Sequence, residues 1–226
     1  MTLLLSSFLS LGCAGFGHVF LRAGRAGEYR RAFWLKGLAG LCFVAVGLLA
    51  ASRCGDARRA WLVPGGLILG LLGDELLALR FVWPERHDKM FLLGALAFSL
   101  GHVLYLLALL PGGAVPQAAW PVFAVGLLAS FFYARHMRVD FGRFLLPGVV
   151  YIALVVFLAA VSCGAAASSL GIGALLFALG GLCFAVSDNL LCARSFGDAE
   201  RDAVNRALHI TYYAAQLLIA WSLRWT

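Results

Sequence analysis

Two acidic residues stand where a chain this apolar should not place them. Leu71 to Arg80 reads LLGDELLALR and sets Asp74 and Glu75 inside a hydrophobic run. Ala185 to Arg194 reads AVSDNLLCAR and repeats the pattern with Asp188 and Asn189. The sequence Asp-[Glu/Asn]-Leu-Leu-x-x-Arg thus occurs twice. Each copy precedes an apolar segment with His-x-x-Tyr, His102–Tyr105 in one case and His209–Tyr212 in the other. An ionisable side chain within a membrane helix costs at least ~2.5–3.5 kcal/mol on insertion scales, so it normally faces the protein interior and serves a function there. Two carboxyl groups at matching depth predict a shared cavity, in which desolvation and mutual repulsion keep at least one protonated near neutral pH. That is a general acid beside a general base.

The residues around them are weighed by type. Glu75 lies about 100° round the helix from Asp74 and is expected to point elsewhere. Its counterpart Asn189 suggests a polar supporting role for both. His102 and His209 are expected to hydrogen-bond the carboxylates or a substrate. A hydrolytic zinc site wants three convergent ligands. Of the five histidines, His87 and His136 fall in connections, His18 has no partner one turn away, and neither His-x-x-x-His nor His-Glu-x-x-His occurs. A His/His/Asp/Asp set is the one combination open to a metal, and the reading adopted is no metal and no cofactor. Tyr105, Tyr151, Tyr212, Tyr213 and Gln216 are polar handles on apolar helices, where such groups join neighbouring helices. Lys36, behind Arg30 and Arg31, reads either as a snorkelling flank or as a phosphate contact for a lipid headgroup. No nucleophile elbow, phosphate loop or dinucleotide fingerprint appears.

The elements that must position these groups follow from composition. The chain has 226 residues, 62% hydrophobic and 13% charged, with a mean hydropathy of +0.91. A soluble domain is nearer half apolar and a quarter charged, so the class is an all-α polytopic membrane protein. A span needs about 17–25 residues. Eight segments qualify: 3–21, 33–52, 61–79, 90–110, 118–135, 144–161, 168–191 and 203–223. Pro84, Pro111-Gly-Gly, Pro116 and Gly164 are taken as breaks between them. The chain reads as a single membrane domain, 1–226, with possible parallel four-helix repeats at 1–112 and 113–226.

Formal net charge is +7, yet the basic residues flank apolar segments, which argues for topology and headgroup contact over nucleic acid. Odd-numbered connections carry Arg22, Arg25, Arg30, Arg31 and Lys36; Arg80, Arg86 and Lys89; Arg135, Arg138 and Arg143; and Arg194, Arg201 and Arg206. Only Arg53, Arg58, Arg59 and Arg224 lie opposite. The positive-inside rule then puts both termini outside the cytoplasm, and the composition suggests a bacterial inner membrane. The six cysteines lack C-x-x-C spacing and read as small hydrophobes. A Cys54–Cys163 disulfide is open to the chain, since both would fall at the outer face.

At these same residues the sequence resembles a known family. Gly73-Asp74-x-Leu76-Leu77, followed by Phe91-x-x-Gly94-x-x-x-Phe98-x-x-x-His102-x-x-Tyr105, is similar to a block of the YhhN-like membrane proteins, the lysoplasmalogenases. Ser187-Asp188-x-Leu190-Leu191 and Thr211-Tyr212-Tyr213-x-x-Gln216 resemble its second block, and Pro147 to Tyr151 resembles a Pro-Val-x-x-Tyr element. Lys36-Gly37-Leu38 resembles Lys-Pro-Leu with Gly for Pro. The resemblance implies hydrolysis of the vinyl-ether bond of lysoplasmalogens to a fatty aldehyde and glycerophosphoethanolamine or glycerophosphocholine. The acids read above, Asp74 and Asp188, suit that reaction as its catalytic pair; the resemblance implies a lysophospholipid as substrate among membrane lipids and leaves oligomeric state open. Two competing readings stand beside it: a proton-coupled lipid or small-molecule transporter, and a regulatory membrane protein whose acids are structural.

Overall fold

The protein was analysed as a computed structural model that describes residues 2–198 and 202–225. Arg201, counted among the basic flanks, lies outside the described residues. Every secondary-structure element described is helical. The α-helices are α1 (Thr2–Arg25), α2 (Tyr29–Ala51), α3 (Ala57–Val82), α4 (His87–Leu109), α5 (Ala119–His136), α6 (Leu145–Ser169), α7 (Ile172–Phe196) and α8 (Asp202–Ser222). Short 3-10 turns at Pro84–Arg86, Gly142–Phe144 and Leu223–Trp225 complete the chain.

Among the described residues six segments are long and apolar enough to cross a membrane: α1, α2, α3, Pro84–Leu109, Gly142–Ser169 and α7. Large apolar side chains stand fully outward on them, such as Leu4, Phe8, Leu146 and Trp61. Water would not tolerate so wide an apolar exterior, whereas lipid does. The chain is an integral membrane protein.

Helix ends follow local chemistry. Asp56 caps α3 by accepting the Arg59 backbone N–H at 3.1 Å, which satisfies one of the donors that a helix start leaves open. The seventh segment begins four residues later than the sequence suggests. Helix α6 runs through Gly164 to Ser169, and Leu170 turns the chain with φ 48° before α7 opens. Gly164 is therefore a packing position and no break. A Cβ there would lie 2.9 Å from Pro116 Cβ and 3.1 Å from the Ala119 nitrogen, so the bare backbone admits the start of α5.

The helices fall into two compact units. One holds Met1–Ala108 with Leu223–Thr226, the other Leu109–Ser222. In the first unit, α3 and α4 approach with almost no side chain between them. A Cβ on Gly73 would lie 2.8 Å from the Phe98 ring and 3.1 Å from the Gly94 carbonyl oxygen. Gly73→Ala is expected to cost about 1–3 kcal/mol through overpacking. A melt in detergent checks this: the single variant should lose several degrees, and adding Phe98→Leu should return part of the loss.

Candidate active site

In the first unit α2 and α3 bring Lys36 to Asp74. The Lys36 ammonium lies 2.8 Å from Asp74 Oδ1 and donates to the Asp74 backbone carbonyl at 3.2 Å. Both residues are buried, at 6% and 4% exposure. Lys36 therefore turns inward to the acid and is no snorkelling flank. A buried cation needs a counter-charge, and Asp74 is within reach one helix away. The ammonium also lies over the Phe20 ring of α1, 5.6 Å from its centroid.

Glu75 turns toward α2 as well. A Cβ on Gly37 would lie 3.3 Å from Glu75 Oε1, so the absence of a side chain at Gly37 leaves room for this carboxylate. Glu75 Oε1 is buried and makes no hydrogen bond among the described residues. His102 and Tyr105 are each 1% exposed on α4 and meet edge to face at 6.4 Å. Tyr105 lies over the backbone of Gly66, a contact that only glycine permits, since a Cβ there would be 2.3 Å from the ring. Arg80 is buried between Phe81 and Phe91, at 4.8 and 5.4 Å, although the sequence places it among the exposed flanks. Its planar cation stacks on rings more readily than an ammonium would.

The second unit handles its acid differently. Tyr151 of α6 donates its hydroxyl to Asp188 Oδ2 at 2.9 Å, and Asp188 is 4% exposed. One residue earlier on α7, Ser187 donates to the Leu208 carbonyl oxygen of α8 at 3.2 Å. Sequence reasoning passed over Ser187; its place beside Asp188 in the repeated motif was the available signal. Asn189 turns its amide nitrogen to the Ala185 carbonyl of its own helix at 2.8 Å. On α8, His209 Nδ1 lies 2.8 Å from the Asn205 carbonyl oxygen. A carbonyl can only accept, so Nδ1 is the donor in this contact. Gln216, fully buried, donates to the Tyr212 hydroxyl at 2.9 Å, and the Tyr212 ring meets those of Phe184 and Tyr213 edge to face at 5.9 and 5.3 Å.

The two units thus carry a common scheme. In each, the acid on the third helix is held by a side chain of the second, Lys36 for Asp74 and Tyr151 for Asp188. The residue before the acid meets the fourth helix, Gly73 against α4 and Ser187 against α8. Among the described residues no three His, Cys, Asp or Glu side chains converge as a metal site requires. None of the six cysteines, Cys54 and Cys163 included, is joined in a disulfide.

A polytopic helical membrane protein with a buried, partnered acid in each unit is the class that these features define. The chain belongs to the YhhN family, which matches it over residues 29–223. Over 171 residues it is 32% identical to proteins of Mycobacterium bovis and Mycobacterium tuberculosis, each named lysoplasmalogenase. The match covers 72% of this chain and 59% of each relative, so the chain spans well under two thirds of their length. No solved structure gives a significant match.

Proposed function

We propose that this protein is a lysoplasmalogenase, hydrolysing the vinyl-ether bond of a lysoplasmalogen to a fatty aldehyde and a glycerophospho-headgroup. Membership of the YhhN family and the likeness to proteins named lysoplasmalogenase support the reaction class. The observation that carries the chemistry is the contrast between the two acids. Asp74 has an ammonium at 2.8 Å, whereas Asp188 has a phenol hydroxyl at 2.9 Å.

Vinyl ethers hydrolyse by protonation at the β-carbon, which gives an oxocarbenium ion that water attacks at the α-carbon. The resulting hemiacetal collapses to aldehyde and alcohol. In this reading Asp188 delivers the proton. Asp74, ion-paired with Lys36 at 2.8 Å, is the second acid–base group that this reading assigns to the reaction. The division of labour parallels paired carboxylates in glycoside hydrolysis, an analogy of chemistry and not of fold. His209, Tyr212, Tyr213 and Gln216 support Asp188, and Glu75, His102 and Tyr105 support Asp74. Neither metal nor organic cofactor is required by the scheme.

The common scheme of the two units supports a parallel repeat. Eight spans follow if α5 and α8, 18 and 21 residues long, cross with the others. The basic flanks support a bacterial inner membrane with both termini outside the cytoplasm. The deciding experiment is aldehyde release from a lysoplasmalogen by detergent-purified protein, with an ester lysolipid as control. Release from the vinyl ether alone is expected. No release by monodisperse protein that binds the lipid would transfer the reading to a proton-coupled transporter.

A further inference from the structure

Helix α5 buries little of its surface. Of its 18 residues only Ala119 and Ser130 are buried. Between α5 and the α6–α7 pair runs a cavity of about 820 Å³, with Arg135 and Arg138 at one end. A second cavity of about 360 Å³ continues it along α5 to Val122. Ser130, Tyr133 and Asn189 line both, so the two form one trough within the second unit. From Val122 to Arg135 the trough follows α5 for about 20 Å at 1.5 Å per residue. That suits one acyl chain across half of a ~30 Å hydrocarbon layer, with its glycerol above.

The polar groups are placed for a particular amphiphile. Tyr133 and Ser130 lie two and five residues before Arg135, about 3 and 7.5 Å along the axis. The Tyr133 hydroxyl is buried and makes no hydrogen bond among the described residues. A polar group left so in an apolar trough is costly and calls for a partner. Asn189, its amide nitrogen turned to Ala185, adds an acceptor to the lining that it shares with Tyr133. Arg138 faces Asp198 only at 3.6 Å, with both side chains mostly exposed, a pairing weak enough for a phosphate to displace.

We propose that this trough is a binding groove for a single-chain phospholipid, its phosphate at Arg135 and Arg138 and its free glycerol hydroxyl at Tyr133 and Asn189. A diacyl lipid lacks that hydroxyl and would leave the Tyr133 oxygen unanswered. Asn189 adjoins Asp188 on α7 but points round the helix into the trough, so the groove is a station for lipid apart from the carboxylate itself. The choice of a lysophospholipid as occupant rests on the proposed activity, whereas the shape and charge of the groove do not.

The test uses the full chain in detergent with an ester-linked lysophosphatidylethanolamine bearing a mid-chain diazirine, so that labelling needs no turnover. Labelled peptides should map to α5, α6 and the Asn189 turn of α7. Unlabelled lysolipid should compete at least tenfold better than monoacylglycerol, which lacks phosphate, or diacyl lipid, which lacks the hydroxyl. Ala153→Phe, which fills the trough from its wall, should remove the labelling with the melting temperature unchanged. Arg135→Gln with Arg138→Gln should reduce it at least fivefold. Tyr133→Phe should erase the preference for lysolipid over diacyl lipid, a readout that general damage would not give. Equal competition by diacyl lipid in the unaltered protein overturns the proposal, since ordinary bilayer lipid would then fill the trough. Labelling that survives Ala153→Phe overturns it equally. Asp188→Asn should label normally, so failure of the aldehyde assay and failure of this groove are distinguishable.

Discussion

Asp188→Asn is expected to lower aldehyde release by roughly 10²–10⁴-fold, the range that general acid–base catalysis contributes, while the protein stays folded. Asn keeps the size of the side chain and still accepts from Tyr151 through its carbonyl oxygen, so the contact between α6 and α7 persists. What it lacks is a transferable proton. Tyr151→Phe separates position from proton supply. It removes a hydrogen bond of about 1.5–3 kcal/mol, so activity should fall by roughly 10–100-fold and remain measurable. Single-turnover aldehyde formation beside thermal melts reads both variants. Wild-type rates from a folded Asp188→Asn protein would remove this residue from the chemistry, and an unfolded one would assign it to structure.

Lys36→Met carries the second large effect, and it falls on stability before activity. Removing one partner of a buried ion pair leaves the other charge uncompensated, at a cost of about 3–5 kcal/mol. Asp74 is buried, at 4% exposure, so bulk solvent cannot simply take the place of the ammonium. Pairing Lys36→Met with Asp74→Asn removes both charges, and replacing a whole buried pair by neutral groups is often close to neutral. The double variant should therefore melt nearer to wild type than Lys36→Met alone, yet release no aldehyde. If the two single losses simply add, the pair observed between α2 and α3 is not energetically coupled.

Hydropathy made the helices legible, because spans of this length have to be apolar whatever their neighbours are. It located all eight to within a few residues, apart from the α6–α7 turn. That miss has a physical cause. Gly164 is the same residue whether it breaks a helix or makes room for Pro116 and Ala119, and only the packed neighbour tells the two apart. Asp74 and Asp188 were legible as charges in the wrong solvent. Their partners were not, because Lys36 beside an arginine cluster looks like any flank until α3 is seen next to α2. Arg80 misled in the same way: an arginine at a helix end is usually wet, and two phenylalanines keep this one dry. The α5 groove left no trace in the sequence, since its polar members come from α5 and α7 and belong to no common motif.

The Lys36–Asp74 pair also bears on how the chain enters the bilayer. Its members sit on consecutive helices, α2 and α3, joined by a link of five residues, 52–56. Each alone would bring a bare charge to membrane depth at about 2.5–3.5 kcal/mol; together they bring none. The charges therefore favour delivery of α2 and α3 as one hairpin, with α2 held at the insertion machinery until α3 emerges from the ribosome.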